Sequence, residues 1–223
     1  NIVEMPTTME RPKSAPTRNM QAIGGSLFGP NLEAGTYEVK VIKDKSEYRT
    51  SFTLVYDTLA PYTQEERTWQ RETTLKLYAL SERLAYVYAA LAQMEKQADS
   101  LATLLTDKRQ AKLRGMLVRA AADMKSLRES FVATDGDGYI DQDERLREQL
   151  ADVYRQVSTY PGKPTQSQLR RTETLGIQVS ELEAKVDAIE KQTLPAIQSG
   201  LAKWGFSPVC WQSKEDFLKS NPL

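Results

Sequence analysis

The densest chemistry in this sequence lies in ATDGDGYIDQDE, residues 133–144. Laid on the calcium loop of an EF-hand, Asp135 and Asp137 take the third and fifth positions and Gly138 the sharp turn. Tyr139 then offers a backbone carbonyl, Ile140 fills the central apolar position, Asp141 falls on the ninth and Glu144 on the bidentate twelfth. A hard cation needs this density of oxygen donors on a chain that can curl around it. The first position, however, is Ala133 where a carboxylate belongs, and the sequence has no second hand to pair with this one. The same atoms also support a plainer reading. Asp141 stands three residues before Glu144, as in a helix capping box, and Asp-Gly-Asp-Gly is ordinary turn chemistry. The residues alone leave both readings open: a degenerate calcium site made of Asp135, Asp137, Tyr139, Asp141 and Glu144, or an acidic turn.

Other candidates carry less. Tyr78, Tyr86 and Tyr88 fit an aromatic ligand patch, but tyrosines flanking a leucine seam are normally the edge of a core. Arg109, Lys112, Arg114 and Arg119 form a basic run that reads as a solvated helix face. GGSLFG at 24–29 lacks the spacing of a phosphate cradle. There is no histidine, so the usual general base, the commonest transition-metal ligand and the Ser-His and Cys-His nucleophile pairs are excluded. The lone Cys210 makes neither an internal disulfide nor a cysteine-rich zinc site. Thirty basic residues balance thirty acidic ones, so a general basic footprint for nucleic acid is missing. With 40% hydrophobic and 27% charged residues, the chain can bury a core under a wetted surface.

The elements that would hold these residues are legible from period and punctuation. Residues 1–34, with Pro6, Pro12, Pro16 and Pro30, read as an irregular leader. Two strands follow within 35–57. In GTYEVKVI, Tyr37, Val39 and Val41 share a face, and in YRTSFTLVY, Phe52, Leu54 and Tyr56 do. Two strands alone are marginal in water, so this pair must meet other strands, pack on the helices, or be the remnant of a larger sandwich; a small β segment that is part of a sandwich is the expectation. From Pro61 the period lengthens to that of helices. Capping pairs Thr63/Glu66, Asp107/Gln110, Asp141/Glu144 and Thr165/Gln168 each precede an apolar stripe. The first stripe runs Leu77, Leu80, Leu84, Val87, Leu91, Met94, Ala98, Leu101, Leu105, and the last passes Pro195, which should kink or interrupt its helix. The expected fold is mainly α: a long antiparallel four-helix bundle over 61–205 after the small β segment, closed by an apolar tail at 206–223 with Trp211. No apolar run reaches the roughly 18–20 residues needed to span a bilayer. The start at Asn1 without a leader suggests a processed or truncated polypeptide.

The stretches AGTYEVKV, LYALSERLAYVYAALAQ, ERLREQLADVYRQVSTYPGKPTQSQL and LPAIQSGLAKWG resemble the C-terminal region of large bacterial proteins with sortilin-type, BNR-repeat β-propellers. The likeness spans roughly residues 33–205. It implies a small β-sandwich followed by a helical segment in an exported, glycosyl hydrolase-like protein whose propeller is not in this chain, so no propeller residue transfers. Members of that family carry a Gly-rich, less acidic connection where this chain has DGDGYID.

These readings converge on a non-catalytic structural or interaction module of a larger extracytoplasmic protein or assembly. It would bind a protein partner or the remainder of a longer chain, with neither nucleic acid nor a membrane span. The alternatives are a calcium-binding module through the 133–144 loop, with calcium as its cofactor, and the C-terminal part of a propeller-type hydrolase.

Overall fold

The computed structural model describes residues 5–17, 28–134 and 145–220. The chain is mainly helical with one two-stranded antiparallel sheet. Strands β1 (Gly35–Lys43) and β2 (Ser46–Leu54) pair in a register that sets Tyr37 opposite Phe52, with their rings stacked at 5.6 Å. The turn is tighter than the polar stretch Lys43–Glu47 suggests, because Asp44 takes a left-handed conformation at φ 55°. Short polar side chains tolerate that region better than most.

Five helices have ten or more residues: α1 (Gln64–Leu104), α2 (Ala111–Ser130), α3 (Leu146–Thr159), α4 (Gln166–Ala188) and α5 (Leu194–Lys203). Reciprocal capping boxes are formed at Thr63/Glu66, Asp107/Gln110 and Thr165/Gln168, so side chains satisfy the first free amides. The Asp107 box opens a single 3-10 turn, Lys108–Gln110, which leads into α2. The fourth expected pair, Asp141/Glu144, lies outside the described residues, and α3 begins after Arg145 without a side-chain cap.

A four-helix bundle is not confirmed; the helices pair as three rods. α1 alone, 41 residues and so about 60 Å long, is the first. α2 and α3 lie end to end along it, both antiparallel. Arg128 on α2 bonds Glu95 and Tyr88, while Gln70 near the start of α1 donates to the Val157 carbonyl at 2.8 Å near the end of α3. The Arg147 amide joins the two helices by donating to the Phe131 carbonyl at 3.0 Å. At about 30 Å and 21 Å, neither could cover α1 alone, and together they span most of it. The third rod is α4 and α5, which runs parallel to α1: Leu80 lies against Gly176, and further along Arg83 pairs with Glu183.

Just before Pro195 the α-helical pattern of this third rod is interrupted, as expected. A π turn over Ile189–Thr193 lets the Leu194 amide reach the Ile189 carbonyl, and the helix continues. Gly200 allows the rod to meet α2, since a Cβ there would sit 2.6 Å from a Leu113 methyl. The rod then ends at Gly205, φ 72°, where the Gly205 and Phe206 amides bond the Ala202 and Leu201 carbonyls.

The predicted seams form one core. Leu77, Leu91, Leu117, Leu175, Val179 and Leu201 are all 0% exposed. Two segments outside the rods complete it. Residues 5–17 are tied to the chain before β1, with Met9 donating to Pro30 and Leu32 to Thr7, and they bury Ala15. The C-terminal tail folds back. Gln198 brackets the Val209 backbone from both sides, Gln97 accepts from the Cys210 amide and Gln93 from the Gln212 amide. A short helix α6 (Lys214–Lys219) follows, with Phe217 against Tyr86 and Lys13 donating to the Phe217 and Ser220 carbonyls. Among the described residues no helix is long and apolar enough to cross a membrane.

Candidate functional site

The candidate calcium ligands Asp135, Asp137, Tyr139, Asp141 and Glu144 lie outside the described residues; both ends of their loop are described. The ends are clasped. Ala133 donates its amide to the Glu148 carboxylate at 3.3 Å, beside the Arg147–Phe131 bond, and Arg145 donates to the Glu129 carbonyl. Phe131, Val132 and Ala133 are 2%, 4% and 2% exposed, so the alanine at the first loop position is a core residue that anchors the loop. Among the described residues, no group of three or more His, Cys, Asp or Glu side chains is placed to hold a metal.

Glu148 belongs to a buried polar cluster that joins the N-terminal segment to α3. Thr17 donates to its other oxygen at 2.6 Å. Arg147 donates from Nε to the Ala15 carbonyl at 3.0 Å and from Nη2 to Ser14 Oγ at 3.1 Å. Both charged residues are nearly inaccessible, at 4% for Arg147 and 3% for Glu148. Burial pushes the Glu148 carboxyl above its usual range, opposed by the Thr17 bond, backbone donors and the Arg147 charge. The same burial lowers the Arg147 affinity for its proton, against the pull of Glu148. A carboxyl with a raised pKa is a possible acid in general; here both oxygens already accept, from Thr17 and from the Ala133 amide. The adjoining cavity, lined by Pro12, Ser81, Leu84 and Tyr154 among others, has about 10 Å³, room for one water at most. The cluster is a clasp.

The three tyrosines are core edge, as their flanking positions predict. Tyr88 stands edge-on to Phe131 and accepts from Arg128 at 2.9 Å; Arg128 also pairs with Glu95 at 2.9 Å. Tyr78 is pushed up to about 12 by burial, with Glu82 and Glu10 adding to the shift. On the basic run, Arg109 pairs with Asp107 and lies over the Trp204 ring, while Lys112, Arg114 and Arg119 face solvent.

At the base of the hairpin, Arg71 holds Glu33 at 3.0 Å and the Asn31 carbonyl at 3.0 Å, and Arg67 lies 4.2 Å from the Tyr56 ring centre. The hollow there is about 200 Å³, below the roughly 300 Å³ at which small-molecule pockets begin. Beyond this base, among the described residues, no helix packs on the strands to any comparable extent. Tyr37, Val39, Phe52 and Leu54 stay half-exposed, while Val41, Ile42 and Tyr48 are 40%, 66% and 60% exposed.

The Arg147–Glu148 cluster and the glutamine contacts to the tail are the sites the sequence did not single out. Arg147 and Glu148 sit off the Leu146–Leu150 seam and read as solvated charges until the N-terminal segment covers them. No family model matches this chain, and neither a curated protein nor a solved structure matches it.

Proposed function

We propose that this chain is a non-catalytic structural and interaction module of a larger extracytoplasmic protein. The hairpin completes a sheet supplied by another segment or a protein partner, and the helical part serves as a stiff arm. The observation that carries this reading is the hairpin itself. Its two strands have an apolar row, Tyr37, Val39, Phe52 and Leu54, that no helix covers among the described residues, where each strand pairs only with the other. A sheet of two strands is marginal in water and gains stability from a further strand or a packed layer. The resemblance to the C-terminal region of sortilin-type, BNR-repeat proteins fits, since a small sandwich there would supply that layer. The buried Glu148, whose oxygens are occupied by Thr17 and Ala133, supports a structural role for the one deeply buried carboxylate among the described residues.

Amide hydrogen exchange tests it. The outward-facing amides of residues 36–42 and 47–53 should exchange fast in this chain and become protected in the longer native polypeptide or with its partner. Slow exchange in this chain alone, or fast exchange in the longer one, would sink the proposal.

A second reading, calcium binding by Asp135, Asp137, Tyr139, Asp141 and Glu144, is favoured by the clasp that brings Ala133 and Glu148 together at the loop's ends. Calorimetric titration of chelator-stripped protein decides it. Heat and a raised melting temperature at millimolar calcium are expected; neither effect at that concentration ends this reading.

A further inference from the structure

On the outer side of α1 and α4 an open groove of about 840 Å³ runs along the two parallel helices. Its floor is built from Ala79 and Leu80 of α1 and Gly176 and Ala184 of α4. Ile177 stands at its edge, 62% exposed. Gly176 keeps the floor low without being required by the backbone. An added Cβ would meet only the Leu80 methyls, at 3.9 Å, which is ordinary contact. A glycine inside a helix is about 1 kcal/mol less favourable than alanine, so the monomer carries a small penalty that leaves this groove open.

The two walls are oppositely charged. α1 contributes Lys76 and Arg83, and α4 contributes Glu173 and Glu181. Arg83 is engaged by Ser180 and Glu183, whereas Lys76, Glu173 and Glu181 are exposed and make no ion pair with another described residue. Leu80 lies against Gly176, so one helical turn earlier Lys76 is level with Glu173 across the groove.

From this arrangement we infer that the groove binds a second copy of the chain, related by a two-fold axis running along it. Such an axis reverses the walls without shifting them lengthwise. It lays each copy's Lys76 over the other's Glu173, and each Arg83 over the other's Glu181. A two-fold axis across the groove would instead set like charges together. The pairing is self-complementary, as an isologous interface must be, and covers Ile177. The face is short, at the small end of specific interfaces, so the dimer is weak, concentration-dependent and loosened by salt. This inference goes beyond the proposed module, because it uses the helical face and leaves the hairpin's edges unused.

Sedimentation equilibrium over the micromolar range, with circular dichroism as the folding control, tests it. The native chain should dimerise reversibly. Lys76→Glu and Glu173→Lys each set like charges together twice and should weaken self-association about tenfold or more. Mixing the two variants restores both attractions, so the mixture should dimerise about as well as the native chain. A native chain that stays monomeric throughout this range would overturn the inference, leaving the groove to a different occupant. So would two folded variants that dimerise normally alone, or a mixture that fails to recover.

Discussion

Leu91 on α1 and Val41 on β1 both lie on apolar faces, yet the first is 0% exposed and the second 40%. The difference is one of layers. Each helical seam faces two other rods, so an apolar side chain on it loses its water on every side. The hairpin is one layer thick, and its apolar row meets only the same row on the neighbouring strand. Burying a side chain of this size contributes about 2 kcal/mol, and the hairpin leaves part of that unrealised. Its charged face is better served, with Lys40–Glu47 and Arg49–Glu38 pairs laced across the strands, but exposed pairs contribute little. Stability therefore resides in the rods.

Three experiments break or sharpen that contrast. Leu91→Ala should cost about 3 kcal/mol, read as a lower denaturant midpoint with an unchanged slope; a loss under about 1 kcal/mol would mean that the rods are loosely packed. The clasp at Glu148 gives a smaller effect with a distinctive sign. Its folded pKa is raised by burial, so between the unfolded carboxyl value and the raised one the folded state holds the extra proton. Stability from this group is present below that window and is lost as pH rises through it. The stability of Glu148→Gln relative to the native chain should accordingly improve from about pH 4 to neutrality. Glu183 behaves oppositely, being held low by Arg83, so its contribution is lost as pH falls. Urea midpoints across pH measure both, and a Glu148→Gln difference that ignores pH would remove the carboxyl from this account. The smallest change is expected at the hairpin. Phe52→Ala, which removes the ring stacked on Tyr37, should move global unfolding by less than about 0.5 kcal/mol while loosening the strands locally. A large global loss would show that the strands and rods unfold together.

Much of the helical part was legible because its signals are local. The steps of three and four from Leu77 to Leu105 mark one buried face of α1, and Thr63, Asp107 and Thr165 mark three starts by side-chain chemistry. The assembly of the helices was not, because a period tells which face is apolar and not which neighbour it meets. The stretch between α2 and α3 reads as a reversal in sequence, yet the Arg147–Phe131 bond sets the two helices end to end. Pro195 illustrates another limit, since the π turn that accommodates it has no residue signature. The candidate site was legible only as a loop. Its frame depends on Thr17 and Ala133 meeting Glu148 across 131 and 15 residues of chain, contacts that spacing cannot reveal.

The glutamines that hold the tail have one more consequence. Gln97 and Gln198 bond main-chain atoms of residues 209 and 210, and the Cys210 thiol, 3.6 Å from the Gln97 side-chain oxygen, is exposed. As the sole thiol in the chain, it is a ready attachment point for a fluorescent or spin label. A probe there would report when this strap peels from the body, without any engineered cysteine.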